Sequence, residues 1–505
     1  MTTQAPSSQS SNKRLQLQAC PYLDTVQRGN LDFDFQAVCS VTLSPLNVYA
    51  CLTCGRFFAG KSSDTPLFAH ALEQSHYVWM NLATSAVWCV PDDYQVHDPS
   101  LDDIAYNLRP TYGPEEIRLL GTPGHMVRGR DLQGHKYVVG VIGLNDLHGT
   151  DFVNAAVQAL ARVTRLRRFF LLRDNWEKTT SRVVRAFGEL MCQMWSAARF
   201  KSSASPHELL QAIGAASEGR FKVGVRADAA TFLAWFLNEL HRALGGTKKP
   251  GSSIVHECFQ GHVRVDTTLI ELVRDFDDTV VHSMAVAGPV APAARASAAQ
   301  AGSKQEEEMG ALGTSTSASV KTTTSAVVPF TFLSLDLPSG ALYTDVIQGG
   351  TVIPQSTLYA LLSKYDGVKA VDETGAGHIK RRRYKITQLP ECLVLQLRRF
   401  TPNKFFVEKN RSVVTLPTTQ LDLAGFYDGK EPLPEYDLVA NVCHASSGAG
   451  GEDKDPVANG TYRAHVLYPP TEAWYEVHDL SVRETMPQLV AVSETYLAFF
   501  QRRGA

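Results

Sequence analysis

The residues best placed to do chemistry together are two cysteines three apart and two histidines six apart: Cys51, Cys54, His70 and His76. Tetrahedral zinc takes such a set of two soft thiolates and two imidazoles, and the spacing is that of structural sites. The thiolates neutralise the ion, so the cluster can be buried without a large charging cost. A closed shell of four protein ligands makes such an ion structural and not catalytic. The bland alternative is that Cys54 and His76 are core residues that happen to cluster. The surrounding segment lacks a sufficient apolar core of its own, which favours the metal. Cys20, Cys39 and Cys89 lie nearby and form no second set of close pairs; they read as buried apolar thiols first and as further metal ligands second.

A second chemical position is the turn before Asp151. An apolar run from Tyr137 to Leu144 leads into a short polar turn. From Asp151 the apolar residues recur at helical spacing: Phe152, Ala156, Ala159, Leu160 and Val163. The pattern predicts a buried helix over 151–164. Its first residue is a natural place for a nucleophile, because a helix N-terminus lowers a thiol's pKa and stabilises the thiolate. The residue there is a carboxylate, which would cap free N–H groups and complement the helix dipole. Cys443 and His444 are neighbours, but successive side chains on a strand point to opposite faces, so they make no dyad. Cys192 and Cys392 sit in apolar helix and strand contexts and read as inert.

The elements that must position these groups fit a chain of 505 residues, a length that allows about three domains. The hydrophobic fraction of 44% supports globular cores, and the net charge of -2 gives no bulk attraction to nucleic acid or membrane. No apolar run approaches the roughly 18 residues that span a bilayer. The polar N-terminus, Met1 to Arg14, lacks the apolar core of a secretory signal. Nine cysteines, five of them before residue 90, read as a reduced intracellular compartment with one local metal site.

Residues 1–19 read as a disordered tail, 20–110 as a compact Cys- and His-rich module, and 111–136 as a linker with a short helix near Pro114–Leu120. The region 137–502 follows, interrupted at about 286–327 by an Ala/Ser/Thr/Gly-rich stretch that reads as a disordered insertion. Within it, Val183, Val184, Phe187, Leu190, Met191, Met194 and Trp195 form one helical stripe. Ser205-Pro206-His207-Glu208 reads as a capping box, and Ala229 to Leu244 as a helix stopped by Gly245-Gly246. Leu393 to Leu397, Tyr436 to Val442 and Arg463 to Tyr468 alternate as strands. Helices first and strands later give an α+β class, with a helical and a sheet lobe facing across a cleft.

The stretch Gly143 to Leu160 resembles the cysteine box of ubiquitin-specific proteases, Gly-Leu-x-Asn-Leu-Gly-x-Thr-Cys-Phe-x-Asn-x-x-x-Gln-x-Leu. Asp228-Ala229 with Phe232-Leu233, and Leu389-Pro390 through Arg399-Phe400, resemble two further family motifs. The resemblance implies a papain-like protease fold behind a zinc finger, the latter matched by Tyr49 to Gly55. It also assigns roles by position. The nucleophile position holds Asp151 and the oxyanion-donor position Asp146. The histidine of a Gly-His-Tyr triplet becomes Thr461, and the orienting acid becomes His478, followed by Asp479. A carboxylate attacking an amide gives an anhydride, and Thr461 cannot protonate a departing amine. Asp146 puts negative charge where an oxyanion develops, against a donor worth about 3–4 kcal/mol. The expectation is a pseudoenzyme with no catalytic residue. Ala59-Gly60-Lys61 stand where ubiquitin-binding fingers carry Cys-Gly-Arg, so ubiquitin binding stays open, and the family's second zinc ribbon is absent.

Cys20-Pro-Tyr-Leu-Asp-Thr25, Leu31-Asp-Phe-Asp-Phe35, Phe405 to Asn410 and Tyr462 to Leu467 resemble the inactive, splicing-factor branch of the family. That resemblance implies a nuclear, non-catalytic scaffold of the spliceosomal tri-snRNP, stabilising the particle before spliceosome activation. Its partners would be tri-snRNP proteins, with small nuclear RNA peripheral and no membrane. The alternative is an adaptor outside the spliceosome that binds ubiquitin or a ubiquitin-like protein. The basic run Lys380 to Lys385 reads either as a phosphate contact or nuclear signal, or as a solvated charged turn.

Overall fold

The computed structural model describes residues 20–274, 316–338, 343–344, 351–352, 354–375, 378–402, 407–446 and 456–504. The predicted tail at 1–19 and most of the predicted insertion, 286–315, lie outside the described residues.

The N-terminal module is a five-stranded antiparallel sheet in the order Phe57–Ala59, Val48–Cys51, Val78–Asn81, Val87–Cys89, Tyr94–Val96. One helix, Pro66–Gln74, packs its Leu67 and Ala71 against the sheet. The strands are only three or four residues long. Apolar burial is divided among small clusters around Val78, Trp79 and Val48, so the module leans on other supports.

Helices come first in the large region: Asp151–Leu160, Thr164–Leu171, Arg182–Met194, His207–Ala216, Ala229–Ala243 and Ile254–Phe259. A seven-stranded sheet follows, ordered Leu333–Asp336, Cys392–Arg398, Thr495–Arg502, Tyr436–Ala445, Thr461–Tyr468, Ala473–His478, Ser481–Thr485. A four-stranded sheet, Thr316–Phe330, Gly261–Arg274, His378–Gln388 and Asp366–Gly375, stands beside it. The helix Asp151–Leu160 has all ten residues buried and shares one core with Tyr462, Ala464 and Val466 of the sheet. This α+β architecture sets the start of a buried helix against a central strand.

Four expectations need correction. The helix predicted over 151–164 ends at Leu160, because Val163 takes an extended backbone and a second helix starts at Thr164. The segment 111–136 is no free linker: Tyr112, Ile117 and Leu120 are buried in the main core, and the Arg167 guanidinium donates to the Leu120 carbonyl at 3.0 Å. Part of the predicted insertion is strand, since Thr316–Phe330 pairs along Gly261–Arg274. Its Ser and Thr content lowers the hydrophobicity, but Thr and Val both favour strand, and residues 322–329 stay exposed on the sheet edge. The capping box at Ser205 is not formed, as the helix His207–Ala216 carries no side-chain cap and the Ser205 N–H goes to Asp34 at 3.0 Å.

That last bond belongs to a joint between module and lobe. Arg199 meets Asp34 at 3.3 Å, with both side chains nearly buried, and also donates to the Ser203 carbonyl at 2.8 Å. Lys201 pairs with Asp32, Arg109 pairs with Glu177 at 2.8 Å, and Phe200 enters the small module's own core.

Candidate functional site

The four predicted metal ligands converge. Cys51 ends a strand, Cys54 follows the turn it enters, His70 lies on the module's helix and His76 just beyond it. Their ligand atoms all lie within 4.8 Å of one another. Cys51 Sγ is 3.5 Å from His76 Nδ1, Cys54 Sγ is 3.5 Å from His70 Nε2, and the two imidazole nitrogens are 3.1 Å apart. Such separations are edges of a tetrahedron around an ion with Zn–S of about 2.3 Å and Zn–N of about 2.0 Å. Burial pushes the Cys51 thiol up and both imidazoles down. A thiolate at Cys51 therefore needs a cation beside it, and neutral imidazoles are the form that binds one. Lys61, one of the residues in the Ala59–Lys61 stretch, is committed elsewhere. It pairs with Asp93 at 2.5 Å and lies 3.4 Å over the Trp88 ring.

The positions to which the resemblance assigned protease roles separate. Asp146 accepts hydrogen bonds from Thr150 N–H at 2.6 Å, Gly149 N–H at 3.2 Å and the Thr150 hydroxyl at 3.0 Å. Burial raises its carboxyl, but those donors together hold it below the usual carboxylate range. It thus engages both turn amides, Gly149 N–H and Thr150 N–H. Asp151 is buried at the helix start, and its Oδ2 accepts the Tyr462 N–H at 2.7 Å. Burial pushes its carboxyl up. Asp479, also raised by burial, accepts from Asn154 Nδ2 at 2.8 Å.

Asp151, Asn154, Gln158, Tyr462 and Asp479, together with Leu144, Ala155 and Val477, line one narrow cavity too small for a water-sized sphere. Thr461, His478 and Asp146 are not in its lining, and the His478 side chain is nearly half exposed, 3.7 Å from Asp479. Asn154 and Gln158 belong to the box motif quoted above, yet sequence reasoning gave them no role. Their helical offsets of three and seven from Asp151 were the available signal.

A thiol does meet an imidazole, though elsewhere. Cys443 Sγ lies 3.5 Å from His465 Nδ1, and His465 Nε2 lies 3.2 Å from Glu476. Burial raises the Cys443 thiol, but the contact with His465 outweighs it and the net shift is downward. Tyr462 and Ala464 face Asp151's helix, so Cys443 and His465, at alternate positions, lie on the far face of the sheet. Cys443 is 0% exposed, which denies it any substrate. His444 is a separate buried imidazole held between Phe400 and Tyr462.

The basic run lies on the strand His378–Gln388, not in a turn. Arg381 grips Asp372 through two contacts of 2.8 Å, Arg382 meets Glu373 at 2.6 Å, and Lys385 donates to the Asp366 and Gly425 carbonyls. Among the described residues no helix is long and apolar enough to cross a membrane.

This fold and these positions define a class. The ubiquitin carboxyl-terminal hydrolase family matches residues 142–500, and the zinc finger of ubiquitin hydrolases and other proteins matches residues 37–101. The chain belongs to the ubiquitin carboxyl-terminal hydrolase family, and its finger match implies zinc binding at the cluster above.

Its relatives narrow that class. The chain is 37% identical to ubiquitin carboxyl-terminal hydrolase 39 of Homo sapiens over 498 residues, 96% of this chain and 80% of that protein. It is 33% identical to the probable mRNA-splicing protein ubp10 of Schizosaccharomyces pombe, over 95% of this chain and 88% of that protein. A solved structure described as an essential yeast splicing factor shares the fold with a TM-score of 0.69 at 22% identity, covering 95% of this chain and 99% of that one.

Proposed function

We propose that this protein is a non-catalytic nuclear scaffold of the spliceosome. It acts on the tri-snRNP during pre-mRNA splicing and stabilises that particle before activation. The observation that carries the non-catalytic half is Asp151: the nucleophile position holds a buried carboxylate already bonded to the Tyr462 N–H. Around it, Asp146, Thr461 and His478 supply neither an oxyanion donor in the cavity nor an imidazole on its lining. The splicing half is supported by relatives named as splicing proteins across nearly the whole chain. Zinc at Cys51, Cys54, His70 and His76 is structural in this reading and keeps the finger folded. Contacts are mainly to protein, because much of the basic run is already paired within its own sheet.

The test is affinity recovery of the tagged, full-length protein from nuclear extract. Spliceosomal small nuclear RNAs and splicing proteins are expected in the eluate. Recovery of ubiquitin conjugates with no small nuclear RNA would replace this reading with the adaptor one.

A further inference from the structure

Three cations share the outer face of one hairpin, and among the described residues no acid pairs with them. We propose that the hairpin from Arg128 to Val138 holds the phosphate backbone of RNA through Arg128, Arg130 and Lys136, without reading its sequence. This goes beyond the spliceosomal reading, which gives RNA a peripheral part and no surface of its own. It is tested with purified components, so its failure leaves the tagged recovery as it stands.

The ribbon consists of two antiparallel strands, Arg128–Arg130 and Lys136–Val138, with Gly129 opposite Tyr137 and Arg130 opposite Lys136. Burial alternates along it. Gly129 and Tyr137 are buried, whereas Arg128, Arg130 and Lys136 are exposed, so the three cations stand on one side. Arg130 and Lys136 have Cβ atoms about 5 Å apart, and Arg128 lies about 7 Å further along the strand. Among the described residues none of the three side chains makes an ion pair or a hydrogen bond. Like charges facing each other across a ladder are unfavourable, so the fold gains nothing from this placement. A polyanion laid along the ribbon turns that repulsion into attraction.

The platform is fixed before any partner arrives. The Tyr137 ring lies so close over Gly129 that a Cβ there would meet it at 2.1 Å. The Tyr137 hydroxyl donates to the Ser196 carbonyl at 3.1 Å and accepts the Arg199 N–H at 3.0 Å. Beside Arg128, the Val127 N–H donates to the Tyr468 hydroxyl at 3.2 Å. Binding therefore has little backbone left to order. The acids in the neighbourhood do not cancel the charge. Asp131, in the turn, is buried; it accepts the His135 N–H at 2.8 Å and lies 3.2 Å from His135 Nδ1. Glu484 stands opposite Tyr475 in the sheet and, like Arg128, acts on the Tyr475 hydroxyl, yet among the described residues it makes no ion pair.

Charge type and shape select the partner. Guanidinium forks bind phosphate through paired N–H donors, and lysine adds a point charge. A hairpin is a ridge with no pocket to enclose a small anion, whereas a nucleic-acid strand carries a charge at every residue and can set successive phosphates against successive cations. The run from Lys380 to Lys385 makes the contrast: there Arg381 and Arg382 are spent on Asp372 and Glu373.

The experiment titrates the full chain, zinc retained, against a short fluorescent single-stranded oligouridine over a series of KCl concentrations. Combining Arg128→Gln, Arg130→Gln and Lys136→Gln should flatten the slope of log K against log [KCl] by about 2 and weaken binding on the order of a hundredfold at about 0.1 M KCl. Arg381→Gln with Arg382→Gln is the control and should change neither. Thermal unfolding without RNA separates lost binding from lost folding: the triple variant should melt at or above the parent's midpoint, because only repulsion has been removed. No binding by the unmodified chain, or an unchanged slope and affinity in the triple variant, overturns the proposal. So does a lowered midpoint, which would show the cations already matched within the chain. Oligoglutamate binding as tightly as the RNA at equal charge, through the same three residues, overturns it in favour of an acidic protein partner.

Discussion

Replacing Asp34 with alanine should loosen the finger from the lobe far more than the same change at Asp32, two residues away. The Arg199 and Asp34 side chains are 6% and 10% exposed. The carboxylate lies 3.3 and 3.4 Å from one Arg199 nitrogen and also accepts the Ser205 N–H at 3.0 Å. Its removal leaves a guanidinium buried without a counter-charge, at a cost of about 3–5 kcal/mol. The orphaned N–H adds to that by an amount that is not independent of it. Asp32 and Lys201 are 29% and 45% exposed, so Asp32→Ala should cost at most about 1 kcal/mol. Urea unfolding can be read by tryptophan fluorescence, since Trp79 and Trp88 report on the finger and Trp176 and Trp195 on the lobe. The expected result is a large fall in the finger's midpoint for Asp34→Ala and a small one for Asp32→Ala. The double change Asp34→Leu with Arg199→Met should recover much of the loss. Equal shifts for the two single variants would falsify the burial argument.

Further expectations concern the sites. Stripping zinc with a strong chelator, or Cys54→Ser, should take bound metal from one per chain to none and unfold the finger while the lobe's tryptophan signal persists; a metal-free finger with a native spectrum counts against a structural ion. Asp151→Cys alone should hydrolyse no fluorogenic ubiquitin substrate above buffer, because Thr461, His478 and Asp146 remain; turnover at an ordinary enzymatic rate would refute the pseudoenzyme reading. Charge removal by Arg381→Gln with Arg382→Gln should change RNA affinity less than about twofold and leave its salt dependence unaltered in filter binding, since both guanidinia are already matched by Asp372 and Glu373.

Periodic signals in the sequence carried over well. The stripe from Val183 to Met194 is one buried helix face, and the strands at Leu393, Tyr436 and Arg463 lie where alternation put them. The metal cluster was legible because its ligands come as local pairs. What failed depended on chain segments far apart. Ser205 has the composition of a cap, but Asp34, 171 residues away, takes its N–H. Cys443 drew attention to its neighbour His444, whereas its actual partner is His465 across the ladder. Register between strands is set by tertiary packing and is not written in adjacency. The strand Thr316–Phe330 was hidden for a different reason: its Ser, Thr and Ala content has the look of a low-complexity stretch, while pairing to an existing edge supplies the order that composition withholds.

The position of Thr495–Arg502 within the seven-stranded sheet constrains how the chain is made. It lies between Cys392–Arg398 and Tyr436–Ala445, so two earlier strands wait for a neighbour that leaves the ribosome after them. Until it emerges, the nascent lobe carries two open hydrogen-bonding edges lined by Leu393, Leu395 and Leu438. Closure of the lobe therefore waits until Thr495–Arg502 has been made. Premature release before Thr495 yields a polypeptide that invites holdase chaperones or degradation instead of a shortened working copy.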